Sequence, residues 1–119
     1  PVTPDQIVNR IAPFDIGFFL LKPINYNYCV ALPNKLFDFV HAGLAVCVGP
    51  SPGMAAFVHE WQCGVVAPSF DPVAVAATLN RLSVEEMTSM RRAARAVAAQ
   101  INATTEMAKV VELCNRLLQ

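Results

Sequence analysis

Apolar and polar positions change period along this chain, and each change marks an element. Residues 15–21, Asp-Ile-Gly-Phe-Phe-Leu-Leu, are apolar on both faces, the pattern of a strand in the middle of a parallel sheet. Leu44 to Val48 reads as a second buried strand, and Gly64 to Ala67 as a third. Helical spacing fills the gaps. Thr3, Pro4 and Gln6 read as a capping box with proline in the first turn, opening a helix that stops before Pro13. Asn34 to Ala42 is a short helix with Leu36, Phe37 and Val40 inward and Gly43 as its stop. Met54 to Trp61 is a third helix, following the turn from Gly49 to Gly53. Asp71-Pro72 opens another, carrying Val73, Val75, Ala76, Leu79 and Leu82. Ser83 with Glu86 caps a long helix to about Gln100. Thr104 or Thr105 starts the last, with Met107, Val110, Val111, Cys114, Leu117 and Leu118 on one stripe.

Strands alternating with helices predict an α/β fold: an incomplete Rossmann-like domain, a parallel sheet of about three strands flanked by helices, with helices at the C-terminal end. Three strands are few for such a sheet, and the opening helix has no strand feeding it, so further strands upstream of Pro1 are expected. All 119 residues fit one domain, with residues 84–119 as a helical tail.

Composition narrows the classes. Nine basic and nine acidic residues leave no net charge, unlike a nucleic-acid binder with its basic stripe. Hydrophobic residues reach 55% and charged ones only 15%, against about a quarter in an average domain. The longest compact apolar run, Ile16 to Leu21, is strand-sized and falls short of a bilayer span. The apolar excess therefore goes into a tight core or onto a partner. None of the four cysteines (Cys29, Cys47, Cys63 and Cys114) form a C-x-x-C pair, which disfavours zinc, and Cys47 and Cys63 read as small buried residues. A reducing, cytoplasmic compartment fits, including a peripheral position at the inner membrane face.

Ligands of open α/β sheets bind at the carboxyl ends of the strands. Everything between Lys22 and the helix at Asn34 lies at that edge, in a connection longer than the usual two to six residues or so. The amino end of the Asn34 helix offers free N–H groups and the positive end of a dipole, which suit phosphate, and Lys35 adds a full charge. Asp38 shares this helical neighbourhood with Asn34 and Lys35. It is placed to accept the hydroxyls of a ribose, as acidic residues do in dinucleotide sites. The same residues also read as a solvent-exposed i,i+3 ion pair with no ligand. His41 lies on the face of Asp38 as a candidate base without any accompanying nucleophile motif. His59 reads as a surface residue, and Tyr26 and Tyr28 as loop residues able to stack or simply to pack.

The stretch Leu32-Pro-Asn-Lys-Leu-Phe-Asp-Phe-Val-His-Ala-Gly-Leu-Ala-Val46 resembles the P-x-K-[LI]-[FY]-[DE]-[YF]-x-x-x-G-x-P-[VI] segment of retaining GT-B glycosyltransferases of the family 4 type, glycosyl transferases group 1. Pro52-Gly-Met-Ala-Ala-Phe-Val58, Cys63-Gly-Val-Val-Ala-Pro68 and Phe70-Asp-Pro-Val73 resemble the segments that follow in that family, in order. The resemblance implies the C-terminal, donor-binding domain of a two-domain enzyme that transfers a sugar with retention. It implies a UDP-, GDP- or dTDP-linked sugar held at Asn34, Lys35 and Asp38, with Asp38 on the ribose. No metal and no other cofactor is implied, and no D-x-D motif occurs. No catalytic residue is assigned, because the acceptor site belongs to the N-terminal domain, which is the expected partner and toward which the family's last helices reach. Three departures stand out. Of the family's E-x7-E pair, the first position is Val30 and the second is Asp38, one methylene shorter; the proline before the second strand is Ala45; and no basic diphosphate clamp is present. Two further readings compete with this one. The first is a non-enzymatic α/β interaction module pairing through its sheet edge and last helix. The second is another phosphate-binding α/β protein, such as a sugar-phosphate epimerase fragment, whose dinucleotide version lacks its G-x-G-x-x-G run.

Overall fold

A computed structural model describes residues 1–119. The chain forms seven α-helices and an open sheet of three parallel strands. The elements are α1 (Ile7–Ile11), β1 (Ile16–Phe19), α2 (Tyr26–Val30), α3 (Asn34–His41), β2 (Ala45–Val48), α4 (Pro52–Trp61), β3 (Gly64–Val66), α5 (Pro72–Asn80), α6 (Val84–Gln100) and α7 (Ala103–Leu117). The chain is thus the α/β, Rossmann-like type that its alternating pattern predicts.

Strand order is β1-β2-β3, in register Ile16↔Ala45 and Val46↔Gly64. β2, not β1, is therefore the middle strand. All four of its residues are buried, whereas Phe18 on β1 is 51% exposed. Hydrophobicity on both faces marks both strands, but only β2 has a neighbour on each side.

Side chains alternate across a strand, so Val46 and Val48 point to one face and Cys47 to the other. The first face packs Leu36 and Val40 of α3, Met54, Phe57 and Val58 of α4, and Ala94 and Val97 of α6. The ring of Phe37 meets that of Phe57 edge-on at 5.8 Å. The second face packs Cys47 and Ala67 under Val75 of α5. Both crossovers, through α3 and α4, advance the sheet in one direction, so right-handedness sets both helices on one face. α5 covers only part of the other. Beside it, Phe18, Leu20, Pro72, Val75, Ala76 and Leu79 line an apolar groove of about 300 Å³.

Local signals behave unevenly. The Ser83–Glu86 capping box forms, with bonds of 3.1 and 2.9 Å. The Thr3–Gln6 box does not: Thr3 makes no side-chain bond, and Pro4–Gln6 is a 3-10 turn leading into α1. α7 is capped by Asn102, with Thr105 closing a reciprocal box. Gly43 ends α3 at φ +73°, and Gln62 ends α4 at φ 54°. The helices after residue 84 differ in kind. α6 is part of the core, and its Arg91 bonds the Gly43 carbonyl and pairs with Asp15 at 2.8 Å. α7 buries no residue. No helix is long and apolar enough to cross a membrane.

Candidate functional site

The carboxyl edge of the sheet is built around the connection from β1 to α3. This segment is partly helical, since α2 interrupts it. Asn25 caps α2 by accepting from the Tyr28 N–H at 2.9 Å, while Cys29 turns back toward the Pro23 carbonyl. The connection is tied down at two points. The hydroxyl of Ser51, fully buried, donates to the Leu21 carbonyl at the end of β1. Gly53 lies against the backbone of Val30 and Ala31, where a Cβ would come within 2.9 Å of Val30.

These two ties decide which helix end is open. α4 begins at Pro52-Gly53, beneath the carbonyls of Val30 and Ala31, so its amino terminus is covered by chain. α3 begins after Pro33, which offers no side-chain acceptor; the Leu36 N–H donates to the Pro33 carbonyl at 3.0 Å, and the N–H groups of Asn34 and Lys35 have no partner within the chain. Asn34 and Lys35 are exposed there. An uncapped helix start at the strand-exit edge is the arrangement that attracts phosphate oxygens.

Lys35 does not pair with Asp38. Its ammonium lies over the ring of Phe19, 5.1 Å from the centroid, at the end of β1. This cation–π contact draws the charge toward the strand exit. The three ion pairs of the chain are Asp15–Arg91, Glu106–Lys109 and Glu112–Arg116, so the i,i+3 pair that the spacing allows is not formed. Asp38 is half-buried on the outer side of α3, opposite Leu36 and Val40, and no hydrogen bond within the chain occupies its carboxylate. It stands one turn behind Asn34 on the same face, roughly 6 Å along the axis. Helical Cα–Cβ bonds tilt toward the amino end, so the carboxylate leans toward the exit edge. The structure thus brings Asn34, Lys35 and Asp38 onto the first two turns of one helix, with Lys35 turned to the sheet and Asp38 to the outside. They lie on an open surface, since none of the three concavities of the molecule is lined by any of them.

His41 has a different role from that of a base. Its Nε2 donates to the Ile101 carbonyl at 2.9 Å, joining the end of α3 to the end of α6. A carbonyl only accepts, so this nitrogen carries the proton. Val30, at the place of the missing glutamate, ends α2 and is 52% exposed. Tyr26 and Tyr28 stand exposed on α2. His59 is exposed on α4. Burial pushes the Cys47 thiol up and the Cys63 thiol up to about 11. Both lie in the core, neutral and unreactive. No three His, Cys, Asp or Glu side chains are grouped so as to hold a metal ion.

Sequence reasoning misses two members of this edge, Phe19 and Ser51. Phe19 reads as one more strand residue; only the register placing it beside α3 reveals a seat for Lys35. Ser51 in Gly49-Pro-Ser-Pro-Gly53 reads as turn chemistry, and nothing in the sequence reports that it reaches Leu21, thirty residues earlier. Comparisons with protein-family models, with curated proteins and with solved structures return no match for this chain.

Proposed function

We propose that this chain is the donor-binding part of a retaining glycosyltransferase, holding a UDP-, GDP- or dTDP-linked sugar at the start of α3. The observation that carries the reading is the open amino terminus of α3, with Lys35 turned to the strand exit and the Asp38 carboxylate left without a protein partner. The resemblance of Leu32 to Val46 to the family's donor segment supports it.

In this reading the first-turn N–H groups and Lys35 take the diphosphate. The dipole and one full charge meet an anion at a place where two backbone donors, the N–H groups of Asn34 and Lys35, are unspent. Asn34 lies beside the donor, and Asp38 accepts from the 2′ and 3′ hydroxyls of the nucleoside. A carboxylate accepting two hydroxyl bonds gains more than a neutral acceptor would. Val30 supplies no acceptor, so the sugar ring gets no carboxylate from that position. The chain orients a donor and performs no bond-breaking step; an N-terminal domain brings the acceptor, and the reaction runs in the cytoplasm or at its membrane face. Without a basic clamp, affinity for nucleotide is in the millimolar range, about 4 kcal/mol.

Calorimetric titration tests the ribose contact. UDP is expected to bind more tightly than 2′-deoxy-UDP, and Asp38→Asn is expected to remove the difference. Equal affinity for both in the parent sinks the Asp38 assignment. The alternative, a non-enzymatic interaction module, draws on the uncovered α7 and the free edge of β1. A chain that self-associates and ignores every nucleotide at millimolar concentration supports that alternative.

A further inference from the structure

Two rows of side chains meet between β1 and α3. Gly17 and Phe19 lie on the face of β1 that Val46 and Val48 share through the register of the sheet. Lys35 and Phe39 lie four residues apart on one face of α3. The ring of Phe39 fills the space over Gly17, where a Cβ would overlap it. The ammonium of Lys35 lies over the ring of Phe19, 5.1 Å from its centroid. As a crossover helix, α3 runs back antiparallel to β1, so the two contacts follow one another in step. Their spacings match, since two strand residues advance about 6.6 Å and four helical residues about 6 Å. Glycine at position 17 lets the helix approach the strand at Phe39, and that approach sets Lys35 level with Phe19. The cation–π contact thus follows from how helix and strand are registered, not from one free surface rotamer.

This contact decides a competition for Lys35. The Asp38 carboxylate, three residues on, is the partner that helical spacing offers, yet Lys35 forms no ion pair with it. A solvent-exposed pair of that kind shifts an equilibrium by about two-fold, and a cation over an aromatic face by about two- to five-fold, so the ring holds the charge. We infer that Phe19 is a positioning residue of the site: it seats Lys35 at the strand exit and keeps it off Asp38, so that ammonium and carboxylate both stay available to a ligand. Paired with each other, each would offer less, the one to a phosphate and the other to a diol. The ring covers one side of the ammonium, whose three N–H donors leave others for an anion. Phe19 itself makes no bond to the ligand and acts through Lys35. This role rests on the reading of the α3 start as a nucleotide site.

Two measurements on the 119-residue chain test it. Without any ligand, the ε-methylene protons of Lys35 are expected upfield of those of Lys22 and Lys109, moved by the ring current of Phe19, and back in the ordinary range in Phe19→Leu. The second measurement is a UDP titration followed by amide shifts. Phe19→Leu, which keeps an apolar side chain against the core, is expected to weaken UDP about two- to five-fold, and Phe19→Tyr to bind as the parent does. In a Lys35→Gln background, Phe19→Leu is expected to cause no further loss, because the ring acts only through the ammonium. Four results overturn the role of Phe19 and leave the nucleotide reading standing: ordinary Lys35 shifts in the parent, UDP affinity unchanged in Phe19→Leu, no recovery in Phe19→Tyr, or an equal loss in the Lys35→Gln background. A parent in which UDP moves no amide of α3 overturns the nucleotide reading, and the role of Phe19 with it.

Discussion

Gly64 begins β3 opposite Val46 of the central strand. A Cβ at this position would overlap the Val46 carbonyl oxygen and lie 2.6 Å from its Cγ2 and 2.8 Å from its carbonyl carbon. The obstacle is mainly backbone of the middle strand, pinned on both sides, so it has no rotamer into which to retreat. Gly64→Ala must therefore push β3 away from β2. Overpacking costs about 1–3 kcal/mol, and each ladder hydrogen bond stretched adds roughly 1 kcal/mol. Lower entropy in the unfolded chain returns about 0.4–1 kcal/mol. The net is about 3 kcal/mol, a large share of a typical total of roughly 5–15 kcal/mol. At Gly17 the nearest obstacle is the ring of Phe39, a half-buried side chain rather than backbone, which relieves the overlap by rotating about its Cα–Cβ bond. Gly17→Ala is expected to cost about 1–2 kcal/mol. Urea unfolding read by Trp61, the only tryptophan, packed against the core cluster, measures both. With a slope near 2 kcal/mol/M, the Gly64→Ala midpoint should fall by about 1.5 M. Trimming Val46 to Ala should not rescue it, because the carbonyl remains, whereas Phe39→Ala should couple favourably with Gly17→Ala. A Gly64→Ala midpoint within about 0.5 M of the parent, or a larger loss at Gly17, refutes the reasoning.

The pattern of apolar positions carries the fold class because period changes survive without tertiary information. Leu36 and Val40 inward, Gly43 as a stop and Ser83 with Glu86 as a cap are all local, and all three are realised. Rank within the sheet is not local. β1 and β2 are equally apolar, and only pairing separates the edge strand from the middle one. α2 escapes notice because five residues, flanked by Pro23 and Pro33, are too few to show a period; its one signal is Asn25. The Thr3 hydroxyl makes no cap because the Gln6 N–H donates to the Thr3 backbone carbonyl instead, at 2.9 Å in the 3-10 turn. At the site, the helical neighbourhood of Asn34, Lys35 and Asp38 is legible from spacing. The direction of Lys35 is not, because its partner Phe19 lies sixteen residues away on another element.

Further expectations follow from single contacts. Ser83→Ala removes a formed capping bond and is expected to cost about 1 kcal/mol, whereas Thr3→Ala, with no bond to lose, should stay within about 0.5 kcal/mol of the parent; thermal melts of the two compare them directly. Arg91→Ala strands the buried Gly43 carbonyl and should cost about 1–2 kcal/mol, while Asp15→Asn, on a side chain 66% exposed, should be nearly silent by the same melts. The Cys63 thiol, raised from 9.0 to about 11 in the fold, contributes stability that is complete below pH 9 and is lost as pH rises toward 11. Urea midpoints across that window should therefore fall, and less steeply in Cys63→Ala.

The site stands or falls on whether nucleotide reaches the start of α3. Amide chemical shifts of the isotopically labelled chain, followed while a UDP-, GDP- or dTDP-sugar is raised to several millimolar, read this residue by residue. Saturable movement centred on Asn34, Lys35 and Asp38, with the core strands and α7 unmoved, is the expected result. Shifts confined to other elements, or none with any of the three donors, contradict the assignment.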